Sequence, residues 1–240
     1  MIALEEPALA DKVEFLSRPE AYSHAAGELV RKETHMSWVF LVGDRVYKLK
    51  KPVHFPYLDF STLARREAAC RAEFSLNRRL APDVYIAVIP LIASPQGLSL
   101  GGEGRIVDWL VVMRRLDDRW AIEQVVREHR VEASKLSRLI STLVRFYRQA
   151  RPILLSAGAH RAAWPRNLTL NRGVLLDPRF DLPSGLIRRI DRTQRKFVAE
   201  RRDILLARLR RRRIVDGHGD LRPEHIWLNH QVRIIDCLEF

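Results

Sequence analysis

Residues 218–240 read HGDLRPEHIWLNHQVRIIDCLEF, and this stretch decides the fold. Its polar opening, Asp216 to Glu224, predicts a loop. Ile226-Trp227-Leu228, the turn residues Asn229 to Gln231, and Val232 to Ile235 predict a short hairpin. Asp220 therefore sits on a loop, and Asp236 at a strand end sixteen residues later. A short hairpin brings the chain back on itself, so both carboxylates are expected to face one cleft. Phosphoryl transfer uses such an arrangement: one carboxylate orients the attacking hydroxyl and accepts its proton, and another holds Mg²⁺ against nucleotide phosphates.

The first half offers counterparts. Ser37 to Val42 (SWVFLV), a Gly43-Asp44 turn and Arg45 to Leu49 predict a second hairpin. Period-two alternation places Val46 and Lys48 on one face of its second strand, with Lys50 as a rival on the same face. Pro52 and Pro56 interrupt the chain before a helix from about Thr62 to Leu80, with Ser61 or Thr62 as its N-cap. That helix carries Glu67 and Glu73, either of which could hold a phosphate-binding lysine. Tyr85 to Leu91 and Val107 to Met113 predict further strands around a Gly-rich turn. No GxGxxG precedes the hairpin; Thr34, His35 and Ser37 are the candidates to meet phosphate there. The backbone around Met113 is the candidate hinge that would read an adenine edge. Residues 1–33 read as helical, with a second short helix over Glu20 to Val30.

Beyond Met113 the pattern turns helical. Leu136, Leu139, Ile140, Leu143 and Tyr147 mark one helix face. Between Ile187 and Arg213, twelve basic residues face three acidic ones, a net +9 of the chain's +13. Ile190, Phe197, Ile204, Leu205 and Leu209 recur there at helical spacing, so the segment predicts one long amphipathic helix. No aromatic residues are interleaved for stacking on bases, so a solvated face is favoured over a nucleic-acid surface.

His218-Gly219-Asp220, with His225 five residues after the aspartate, resembles the catalytic loop H-G-D-x-x-x-x-N of the aminoglycoside phosphotransferase family. Asp236 is similar to the metal-binding aspartate that follows. The pattern also parallels the H-R-D and D-F-G elements of protein kinases. THMSWVFLVGDRVYKLKKPVHFPYLDFSTLARRE resembles a poorly characterised bacterial branch of that family, and the likeness covers nearly the whole chain. The resemblance implies an α+β, two-lobed, protein-kinase-like fold. Residues 1–112 would be a β-rich N-terminal lobe, and 113–240 a mainly helical C-terminal lobe, incomplete at its end. It implies an ATP-dependent phosphotransferase acting on a small-molecule hydroxyl, with ATP and Mg²⁺ as cofactors. Asp220 would be the catalytic base and His218 a brace for its loop. Lys48, Glu73, Val46, Thr34, Ser37 and Met113 would hold nucleotide. Glu73 is preferred over Glu67 because its distance from Ala81-Pro82 is like that in the family's helix. Asp236 would be the main metal ligand, with His225 and Glu239 as the further candidates.

His225 departs from the pattern, since imidazole is a poor ligand for Mg²⁺. That departure motivates an alternative: a kinase-like module that binds nucleotide or a partner without turnover. A metal-dependent hydrolase built on His218, Asp220, His225 and Asp236 is a third reading, and it would bring both histidines to one ion.

The 240 residues, 47% hydrophobic and 30% charged, suit a buried core and argue against gross disorder. No apolar run approaches a membrane span, and no signal pattern opens the chain. Cys70 and Cys237 are too few for a disulfide framework. A cytoplasmic setting with no membrane partner is expected. A kinase-like lobe ending at Phe240 would leave Leu238 and Phe240 exposed, which favours homo-oligomerisation.

Overall fold

A computed structural model of the chain describes residues 7–23 and 28–239. It is an α+β structure built on a six-stranded antiparallel sheet. Helix α1 (Leu9–Leu16) precedes strands β1 (Leu29–Glu33), β2 (Ser37–Val42) and β3 (Arg45–Lys50). A two-residue pair, β4 (His54–Phe55) and β5 (Leu58–Asp59), leads into α2 (Leu63–Asn77), whose first turn is capped by the Thr62 hydroxyl. Strands β6 (Tyr85–Ser94), β7 (Gly97–Leu100) and β8 (Arg105–Arg114) complete the sheet in the order β1-β2-β3-β8-β6-β7.

The central strand β8 decides the packing. Its apolar run VDWLVVM is buried on both faces, as a strand between two layers must be. Leu110 and Val112 face a core of Leu16, Phe40, Tyr47 and Leu91 on the α1 side. Trp109, Val111 and Met113 face Cys70, Val84 and Tyr85 on the α2 side.

The expected helix over Glu20 to Val30 lies partly outside the described residues. Within them, Pro19–Ala21 is a single 3-10 turn and Leu29–Glu33 is strand β1. Leu29 and Val30 pair with Val42 and Leu41, so sheet pairing overrides the helical reading.

Helices α3 (Ile122–Arg127) and α4 (Ala133–Gln149) follow β8. Helices α5 (Ala157–Leu175), α6 (Ser184–Glu200) and α7 (Arg202–Arg210) precede the hairpin of β9 (Ile226–Leu228) and β10 (Val232–Ile234). The basic segment is therefore two helices rather than one. Arg201, at φ −109° and ψ 37°, leaves helical geometry, and the break lets α6 and α7 each pack on α5.

The chain forms two compact units: residues 1–146 with 218–240, and residues 147–217. The expected boundary near 113 falls inside the first unit. There the hairpin residues Ile226, Leu228 and Ile234 share a cluster with Leu80 and Leu139. Among the described residues, no helix is long and apolar enough to cross a membrane.

Candidate functional site

The first unit holds a cleft of about 460 Å³ between the β2–β3 face, the strand end at Met113 and the segment 220–239. Val46, Lys48, Lys50, Thr34, Ser37, Met113, Asp220, His225, Asp236 and Glu239 all line it, so most of the candidate residues meet in one place.

Lys48 is the hub. Its Nζ lies 2.9 Å from Glu73 Oε1 and 3.0 Å from Asp236 Oδ1. Glu67, the reserve candidate, pairs with Arg71 on the outside of α2 instead. Burial alone would push the Lys48 ammonium down; Asp236 and then Glu73 more than offset this and hold it well above its ordinary value. Lys50 is no mere rival. It is buried, donates to Glu73 Oε2 at 2.6 Å and meets Glu239 Oε1 at 2.5 Å. Glu73 thus bridges two lysines two residues apart on one strand face. Burial pushes its carboxyl up, but Lys48 and Lys50 bring it down to about 2.

The segment after β10 is pinned from several sides. Asp236 adopts a left-handed backbone (φ 58°), a conformation costly for most side chains but tolerated by aspartate. The Tyr85 hydroxyl accepts from its amide at 3.3 Å, and Asn77 Oδ1 accepts from the Cys237 amide at 2.8 Å. Asn77 in turn donates to the Glu73 carbonyl. Tyr85 and Asn77 were not singled out as site residues, nor was the pairing of Lys50 with Glu239 expected, since a side chain that only holds another in place has no motif of its own.

The loop 218–225 is braced by its histidines. His218 is buried; its Nε2 donates to the Ile235 carbonyl at 3.0 Å, and its Nδ1 accepts from the Asp220 amide at 3.3 Å. Burial pushes its imidazole below the ordinary value, consistent with this neutral form. With both nitrogens occupied it does not line the cleft, and it braces the loop rather than meeting a ligand. His225 Nδ1 donates to the Asp220 carbonyl at 2.8 Å, leaving Nε2 directed to Asp236 Oδ2, 3.9 Å away. Gly219 takes φ 84°, and a Cβ there would meet Leu238 at 3.0 Å, so the tight turn beside Asp220 needs glycine.

Three expectations change in detail. Thr34 and Ser37 line the cleft, but the Thr34 hydroxyl donates to the Ser37 carbonyl and accepts from the Ser37 amide. The turn satisfies itself. Met113 is still inside β8, opposite Val46 and Tyr85, so the chain leaves the ladder only after Arg114. Glu239 is taken up by Lys50 and does not join Asp236 and His225 as a ligand set. Among the described residues, no three His, Cys, Asp or Glu side chains are gathered to hold a metal ion.

Fold and site together define an α+β protein whose sheet and hairpin enclose a lysine–carboxylate cleft. No family model matches the chain. Over 212 residues, 87% of its length, it is 35% identical to uncharacterized proteins of Mycobacterium tuberculosis (strains H37Rv and CDC 1551) and Mycobacterium bovis. The chain spans 41% of the length of these curated relatives.

Proposed function

We propose that the first unit is a kinase-like phosphotransferase site, of the aminoglycoside phosphotransferase type, that moves the γ-phosphoryl group of ATP to a hydroxyl of a small molecule. The sheet with α2 corresponds to the nucleotide-holding lobe of that fold, and the chain beyond Met113 to its helical lobe. The observation that carries the reading is Lys48 shared between Glu73 and Asp236, with Asp220 in the same cleft. A strand lysine held by a helix carboxylate is the arrangement that places an ammonium on nucleotide phosphates.

The donors fit a hard divalent cation. Asp236 offers a second oxygen, Oδ2, toward the cleft, and Mg²⁺ is commonly held by one or two carboxylates together with substrate phosphates. When bound, the ion supplies neutralisation of phosphate charge. Lys48 would exchange Asp236 for phosphate oxygens while Glu73 keeps its ammonium in place. Asp220, partly exposed and with its loop fixed by His218, would orient the acceptor hydroxyl and take its proton.

A second reading has its own observation. His225 stands where the family pattern has asparagine, and Arg222 Nε lies 3.5 Å from the Asp220 carboxylate, a contact that an acceptor hydroxyl would have to displace. These favour a nucleotide- or partner-binding module without turnover.

Thermal shift of the full chain with ATP, GTP and Mg²⁺ tests the proposal. A ligand at 100 times its Kd adds about 2.7 kcal/mol, or roughly 5–10 °C of Tm for a chain of this size. That shift is expected with wild type and lost in Lys48→Ala. Phosphate release is expected in wild type and absent in Asp220→Ala, which should still be stabilised by nucleotide. No stabilisation of wild type by either nucleotide would overturn the phosphotransferase reading and leave only partner binding of the second. Stabilisation without phosphate release or transfer would select the binding module.

A further inference from the structure

The second unit contains a pocket of its own. Helices α5, α6 and α7 enclose about 370 Å³, a volume at the small end of ligand sites, which run from about 300 to 1,000 Å³. Its floor is apolar: Trp164, Leu168, Val198 and Leu206 line it. His160, more than nine-tenths buried, lines it as well, and its Nε2 has no hydrogen-bond partner. An orphaned buried polar atom costs about 1–3 kcal/mol, so a ligand that bonds it relieves a standing penalty.

The charge around the pocket has one sign. Arg161, Arg195 and Arg202 line it, and no acidic side chain does. Arg195 is neutralised by Asp191, with Nε 2.9 Å from Oδ1, and also donates to the Thr169 hydroxyl. Arg161 and Arg202 have no carboxylate or hydrogen-bond partner among the described residues. Trp164 remains 39% exposed, an aromatic face left for something to cover.

From these we infer that the second unit binds a small anionic amphipath, a carboxylate on a short apolar body. The body lies over Trp164 and Leu168, the anion meets Arg161 and Arg202, and His160 Nε2 donates to it. The pocket shares no lining residue with the cleft of the first unit, and the inference does not depend on the phosphotransferase reading.

Isothermal titration calorimetry of the full chain with octanoate, octanol and octylammonium tests it. Octanoate is expected to bind one to one and octylammonium not at all, with octanol at least about tenfold weaker, the worth of one charge-assisted hydrogen bond. Arg161→Gln/Arg202→Gln, two exposed positions that leave folding intact, should weaken octanoate about tenfold or more. His160→Phe keeps an aromatic ring beside Trp164 and removes both ring nitrogens; it too should weaken binding. No octanoate binding, octanol or octylammonium binding as tightly, or unchanged affinity in the double arginine variant would each overturn the inference.

Discussion

Glu73 answers to two lysines at once, and its chemistry follows from that. A carboxyl held near 2 instead of the ordinary 4.5 stabilises the folded state at pH above that ordinary value. The contribution is lost as pH falls from about 4.5 through about 2, because the unfolded chain then takes up the proton first. Glu73→Gln removes the titrating group and leaves the buried Lys50 and half-buried Lys48 ammonium groups with only Glu239 and Asp236. Its unfolding free energy at pH 7 is expected to drop by about 3–5 kcal/mol, the usual effect of removing one partner from a buried pair. Urea unfolding as a function of pH checks both parts: wild type should lose stability steeply on acidification, and the variant less steeply. An unchanged slope would assign the acid sensitivity to another carboxylate. The same geometry gives separate places to Lys48 and Lys50, which alternation put on one face. Both share the face, and the fold uses both: Lys48 at the open side of the cleft and Lys50 in its buried floor, over the Phe60 ring.

Among the elements, β8 does most to join the first unit, and a single aspartate concentrates that role. Asp108 is buried; its Oδ2 meets Lys12 Nζ of α1 at 2.8 Å and its Oδ1 meets Arg66 Nε of α2 at 2.7 Å. One carboxylate thus ties a helix on each side to the central strand. Asp108→Ala would leave two buried cations unpaired, and a loss of about 3–5 kcal/mol is expected by chemical unfolding. A loss below about 1 kcal/mol would show that the helices are held by their apolar faces alone.

At this scale much was legible. Alternation, turn residues and the Thr62 cap place β2, β3, α2, β6, β8 and the last hairpin close to where they form, because each is decided by local chemistry. That Asp220, Asp236 and Lys48 meet in one cleft, with Glu73 on Lys48, was legible too, through loop, strand and helix position. The missed features depend on partners far along the chain. Strand β1 exists only because Leu29 and Val30 find Leu41 and Val42. The break at Arg201 exists because α6 and α7 each pack on α5. Asp108, lying in an apolar run, carried a signal in its very incongruity: a charge there must find a cation.

For the whole molecule, one compact unit is built from two stretches of chain that are not consecutive. In sequence, residues 147–217 are inserted between the two segments of the first unit, 1–146 and 218–240. Their entry and exit run side by side: Pro152 bridges Val215, and the Ile153 amide donates to the Ile214 carbonyl at 2.9 Å. Closely spaced ends are the condition under which an insertion can be removed without straining its host. Joining Pro152 to Val215 through Asn-Gly, which suits a two-residue antiparallel turn, deletes most of the second unit and keeps every residue of the Lys48 cleft. The shortened chain is expected to unfold cooperatively, to retain the ATP–Mg²⁺ shift of wild type, and to lose octanoate binding completely. Circular dichroism, thermal shift and calorimetry on the one variant read these three outcomes separately. A chain that fails to unfold cooperatively would mean that the cleft requires residues 153–214 to form. Retained octanoate binding would remove that ligand from the second unit.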